Sequence, residues 1–96
     1  MKKNIQELCK ALINLETEIE TYNFLKDLCT PQELRALAER WNVCQLLDQG
    51  DLSYRDIHQH TQASLTTIGR VARFLKEEPN KGYVNMLKKL KLKEKL

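Results

Sequence analysis

Between Ser64 and Lys76 the chain carries hydroxyls and guanidinium groups at a spacing that suits hydrogen bonding to a polyanion. Wound as a helix, this stretch puts Ile68, Ala72 and Leu75 on one stripe, with Leu65 and Val71 flanking it. Thr66, Arg70 and Arg73 then fall on the opposite face. A helix anchored by its back and furnished with such a front can enter a DNA major groove and offer its N-terminal residues to base edges.

The anchoring partner lies immediately upstream. Ser53 is followed three residues later by Asp56, and Ser64 precedes Leu65-Thr66-Thr67, so two hydroxyl N-caps stand eleven positions apart. That spacing leaves room for two short helices and a tight turn, a helix-turn-helix over about residues 53–76. The same pattern also fits a helical hairpin with solvated outer faces that never meets nucleic acid, and the pattern alone does not separate the two.

Other chemistry is poorly supported. His58 and His60 are two apart, so on a helix they point to different sides and make no paired metal site. Cys9, Cys29 and Cys44 are odd in number and spaced 20 and 15 apart, matching neither a disulfide framework nor a zinc pattern; they are expected to be reduced, small apolar residues. No glycine loop cradles a phosphate and no base adjoins a cysteine. No catalytic residue, metal or cofactor is therefore expected, and the chain does not read as an enzyme.

Ninety-six residues with 42% hydrophobic content predict one domain over residues 1–96, near the lower end of what a single core stabilises. The net charge of +3 is unevenly placed: residues 1–50 carry six Lys/Arg against eight Asp/Glu, and residues 51–96 carry ten against five. The basic excess thus lies in the half that holds the helix-turn-helix. Met1-Lys2-Lys3 looks like the start of a signal peptide, but Gln6, Glu7 and Lys10 interrupt the apolar run that should follow. With no stretch long enough to cross a bilayer, a cytoplasmic chain without a membrane partner is expected.

The remaining elements are also helical. Ile5, Leu8, Cys9, Leu12 and Leu15 predict an amphipathic helix from Asn4 to about Leu15. Thr17 with Glu20 opens a second, whose buried side would be Ile19, Tyr22, Leu25 and Leu28; Glu16, Glu18 and Glu20 suit its N-terminal dipole. Thr30-Pro31-Gln32-Glu33 starts a third, which continues to Gln49 and stops at Gly50. Leu34, Leu37, Ala38, Trp41 and Cys44, widened by Ala36, Val43, Leu46 and Leu47, make it apolar over most of its circumference, so it must be surrounded. Pro79 cannot continue the helix before it, and Asn80 is placed to cap a last helix from Lys81 to Leu96 with Val84, Leu87 and Leu90 as its apolar line. Its Lys88, Lys89, Lys91, Lys93 and Lys95 suit either phosphate contacts or a solvated helix end. About six short helices cannot both enclose the third and cover the back of the helix-turn-helix, which predicts a two-fold homodimer; a compact monomeric bundle is the alternative.

Taken in order, Leu28-Cys29-Thr30-Pro31-Gln32-Glu33, Leu46-Leu47-Asp48-Gln49-Gly50, Leu52-Ser53-Tyr54-Arg55-Asp56-Ile57 and Leu65-Thr66-Thr67-Ile68-Gly69-Arg70 resemble the Trp repressor family, and most of all its YerC/YecD-type bacterial members. The likeness spans about residues 10–90. It implies an all-α, intertwined homodimer that acts as a transcriptional repressor on a palindromic operator in double-stranded DNA. The family's DNA-reading positions fall on Arg55 and His58 in the first helix of the pair and on Leu65, Thr66, Thr67 and Gly69 in the second. Arg55 suits a phosphate or guanine, Thr66 and Thr67 suit base edges or thymine methyls, and a protonated His58 would add charge beside DNA. Gly69 costs about 1 kcal/mol of helix propensity relative to Ala, which points to a close approach of DNA or of a neighbouring helix.

The effector positions implied by the resemblance are Thr30, Arg40 and Arg70, but Val71 stands where the pattern has a glycine and Phe74 where it has a small serine. Those two side chains would fill the space of an indole. L-tryptophan is therefore not the expected effector, and Arg40 and Arg70 are expected in ion pairs or on phosphates. The competing function is a helical protein-interaction module whose exposed apolar patch would include Tyr54 and Phe74.

Overall fold

The computed structural model describes residues 1–94 and is all-α, with six helices. They are α1 (Lys3–Leu12), α2 (Glu18–Leu28), α3 (Pro31–Gln49), α4 (Tyr54–Thr61), α5 (Leu65–Lys76) and α6 (Gly82–Glu94). Lys95, part of the expected basic run, lies outside the described residues. The chain falls into two compact units, Met1–Arg35 and the residues from Ala36 onward.

Helix starts follow the capping residues. Thr17 Oγ1 accepts from the Glu20 N–H at 3.1 Å, while the Glu20 carboxylate accepts from the Glu16 N–H rather than from that of Thr17. At the start of α3 the exchange is reciprocal: Thr30 Oγ1 accepts from the Glu33 N–H at 3.1 Å and Glu33 Oε1 from the Thr30 N–H at 2.8 Å. The backbone N–H and then the side chain of Thr30 hold the Glu33 carboxyl below its ordinary range.

In the first unit α1 stops at Leu12, short of Leu15, because the Asn14 amide donates to the Lys10 carbonyl at 2.7 Å and takes up the helix end. Neither α1 nor α2 has a buried residue. Ile19, expected inside, is 70% exposed, and Ile5, Leu8, Leu12, Tyr22 and Leu28 are likewise open to solvent. Amphipathic periodicity identified the stripe but not whether one copy of the chain covers it.

The second unit has a closed core of Val43, Cys44, Leu47, Ile57, Ala63, Ile68, Val71, Ala72 and Leu87. Trp41, Leu46, Leu52, Leu75 and Tyr83 pack against it, half-buried. The requirement that α3 be surrounded is thus met over its second half, whereas Leu37 stays exposed. Gly50 ends α3 with φ 79°, in the left-handed region that glycine enters without cost. Lys81 takes φ 61° ahead of α6, so Asn80 does not serve as its cap.

Gln62 closes α4 with φ 65°, a conformation that costs a residue bearing a Cβ about 1–2 kcal/mol. Gln62→Gly is expected to stabilise the fold by about 1 kcal/mol, read as a higher urea midpoint at unchanged slope.

Candidate nucleic-acid interface

Local hydrogen bonds set both helices of the α4–α5 pair. Ser53 Oγ accepts from the Asp56 N–H at 3.1 Å, and Asp56 Oδ2 accepts from the Ser53 N–H at 3.2 Å, a complete capping box. Those bonds from Ser53, with smaller help from the charges of His60 and Arg55, keep the Asp56 carboxyl below its ordinary range. In the turn, Thr61 Oγ1 donates to the Ile57 carbonyl at 2.7 Å and accepts from the Ala63 N–H at 3.1 Å. His58 Nδ1 lies 2.6 Å from the Ala63 carbonyl oxygen, which can only accept, so Nδ1 carries the proton. Ser64 Oγ then caps α5, accepting from the Thr67 N–H at 3.0 Å and donating to Thr67 Oγ1 at 3.0 Å.

This frame buries Ile68, Val71 and Ala72 on the back of α5. On its front Thr66 and Arg70 are exposed, Leu65 is 56% exposed, and Thr67 keeps its hydroxyl hydrogen free to donate. The space beside Gly69 holds no atom within 4 Å of where a side chain would start. No neighbouring helix of this chain therefore accounts for that glycine. Arg55 and His58 are exposed on α4, and among the described residues neither makes an ion pair.

Arg73 is a partial exception to the expected open cationic face: its Nε donates to Glu78 Oε1 at 2.6 Å. The helix ends so that the Glu77 and Glu78 N–H groups both reach the Arg73 carbonyl, which brings the Glu78 side chain back over Arg73. The sequence carries a signal for this contact, the acidic pair Glu77-Glu78 just beyond an arginine-bearing helix end. On α6, Lys91 pairs with Asp48 at 2.7 Å, while Lys88, Lys89 and Lys93 are exposed.

Beside α5 lies a cavity of about 340 Å³ lined by Arg40, Arg70, Val71, Phe74, Asn80, Gly82 and Tyr83. Four of the five effector positions meet there; Thr30 belongs to the first unit, where its hydroxyl caps α3. Val71 and Phe74 do not fill the space, contrary to expectation. Val71 is drawn into the core, and the Phe74 ring lies under the guanidinium of Arg70 at 4.6 Å, with that of Arg73 at 5.8 Å. Nor is Arg40 or Arg70 in an ion pair among the described residues. Asn80, Gly82 and Tyr83 were not foreseen, because they reach the cavity through the turn after α5 and not through any local motif.

The remaining reactive groups are quiet. Cys44 is sealed in the core, where burial, aided by the charge of Asp48, pushes its thiol up to about 11. Cys9, by contrast, is exposed on α1. Among the described residues no group of three His, Cys, Asp or Glu could hold a metal ion, and no helix is long and apolar enough to cross a membrane.

The chain is 38% identical over 73 residues to the Bacillus subtilis protein YerC, described as uncharacterized, covering 76% of this chain and 69% of that protein. It is 36% identical over 70 residues to a Trp operon repressor homolog of Aliivibrio salmonicida, covering 73% of this chain and 65% of that protein. A TrpR-like protein from Eubacterium eligens superposes with TM-score 0.85 at 34% identity, over 93% of this chain and 90% of that one. A Trp repressor candidate from Staphylococcus aureus does so with TM-score 0.87 at 34% identity, over 95% and 89%. With residues 3–91 matching the family described as Trp repressor protein, and with the capped α4–α5 pair in place, this chain belongs to the Trp repressor family.

Proposed function

We propose that this chain is a sequence-specific DNA-binding transcriptional regulator, a repressor in the bacterial cytoplasm, acting as a homodimer on a palindromic operator. The family is one of regulators and not of enzymes. The observation that carries the reading is α5 itself: a helix held by Ile68, Val71 and Ala72 that leaves Leu65, Thr66 and Arg70 open beside an unobstructed Gly69. Arg55 and His58 on α4 and Thr67 on α5 complete the DNA-facing set, with Arg73 contributing less because Glu78 meets its charge. Residues 1–96 work as one helical domain once paired, the second copy covering the open stripes of α1 and α2.

The regulator does not answer to L-tryptophan. The Phe74 ring already lies under the Arg70 guanidinium at 4.6 Å, so the cation and the apolar face that an indole amino acid would use in this cavity are engaged with each other. The cavity leaves room for a different effector.

A fluorescence anisotropy titration on fragments of the organism's genome tests this. One class of fragment is expected to bind far more tightly than the rest, with half-sites about 34–36 Å apart and affinity falling steeply with salt. Added L-tryptophan should leave the curve in place. Gly69→Ala should gain about 1 kcal/mol of fold stability yet bind DNA less well, because its methyl meets only the duplex. Equal affinity for every fragment at physiological salt would rule out an operator.

A further inference from the structure

We infer that His58 is a proton-dependent clamp on the DNA backbone: it grips a phosphate oxygen only as the imidazolium, so that each head takes up a proton when it binds. The inference rests on the DNA-binding reading above and adds to it a regulation that the reading alone does not contain.

The hydrogen bond inside the turn carries the argument. With Nδ1–H committed to the Ala63 carbonyl at 2.6 Å, only Nε2 of the exposed ring is left to face a ligand. In the neutral ring the single proton sits on Nδ1, and Nε2 is then a bare lone pair. A phosphate oxygen is also an acceptor, so the two repel. Adding a proton at Nε2 turns the same atom into a charged donor without disturbing the bond to Ala63. A free imidazole could swap tautomers and donate from Nε2 while neutral; this one cannot, short of giving up the turn.

Its surroundings favour a phosphate. Arg55 stands one turn earlier, so the two side chains share a helix face. The first helix of a helix-turn-helix is the one that crosses the backbone. On α4 the other titratable groups are Tyr54, Asp56 and His60; on α5, which packs against it, they are Arg70, Arg73 and Lys76, with no carboxylate. Asp56 is committed to Ser53, and no ion pair to His58 exists among the described residues. A phosphate of bound DNA supplies the negative charge beside the ring, and the proton is taken from solution on binding.

The test is the affinity of the full-length chain for its tightest genomic fragment from pH 5.5 to 8.5 at fixed salt, with thermal melts alongside. The wild-type chain is expected to lose about tenfold or more in affinity across that range. His58→Asn keeps an amide donor at the position of Nδ1 and removes Nε2, so it should fold, bind at the weaker high-pH level throughout and show no dependence on pH. His58→Arg, charged at every pH, should also be flat, and His60→Asn should keep the wild-type slope. A flat wild-type profile, or a slope that survives in His58→Asn, overturns the clamp while leaving DNA binding intact. Should wild type and His58→Arg both bind no fragment at any pH, the DNA-binding reading fails and the clamp with it.

Discussion

Ile68→Ala is expected to cost the fold about 3 kcal/mol. Ile68 is fully buried on the back of α5, within a core that includes Val43, Ile57 and Val71. Truncation removes the transfer free energy of three carbons and leaves a cavity that a tightly packed site relaxes into only in part, which together amount to about 2–5 kcal/mol for Ile to Ala. Against a total stability of about 5–15 kcal/mol for a domain, that is a large fraction. Urea denaturation read by circular dichroism checks it. DNA affinity should fall in step, since the front of α5 is presented only while its back is fixed. Thr66→Ala on the open face serves as the contrast, within about 0.5 kcal/mol of wild type in stability. A loss below 1 kcal/mol for Ile68→Ala would mean that the back of α5 is not sealed.

The second large effect concerns pairing. The wild-type chain should sediment at twice its 11.3 kDa mass at micromolar strength, and Leu8→Asp combined with Ile19→Asp should raise the dimer dissociation constant at least about 100-fold. Burying an aliphatic side chain contributes about 1.5–3 kcal/mol, and the two substitutions act in both copies, so even partial burial of these positions in the dimer exceeds that threshold. DNA affinity should collapse with it, because a separated head loses the gain of binding two half-sites together. If a single copy were the complete protein, charges placed at two positions already open to solvent would change little, as surface substitutions ordinarily do. Analytical ultracentrifugation of the two chains distinguishes these outcomes.

Which parts of this structure could be read in advance follows from the range of the interactions involved. The starts of α2 to α5 were legible because a cap and its acceptor lie within three residues, as in Thr30 with Glu33 and Ser53 with Asp56. The back of α5 was legible because Ile68, Val71 and Ala72 repeat at helical spacing and are in fact buried. The stripe of α1 and α2 has the same periodicity, yet it is exposed; periodicity reports which residues share a face and not what lies opposite. The bond from the His58 ring to the Ala63 carbonyl and that from Arg73 to Glu78 were not legible for a related reason: each is set by a turn whose backbone path no helical pattern specifies. Within the cavity, residue type suggested crowding by Val71 and Phe74, but the direction each side chain takes left the space open.

That α1 and α2 enclose nothing by themselves has a kinetic corollary. On the dimer reading, a freshly synthesised copy can complete only the part from Ala36 onward, and its first third waits for an encounter. Refolding should then show a fast step indifferent to dilution and a slow second-order step whose half-time doubles each time the chain is diluted twofold. Amide protons of α1 and α2 should become protected during the slow step alone.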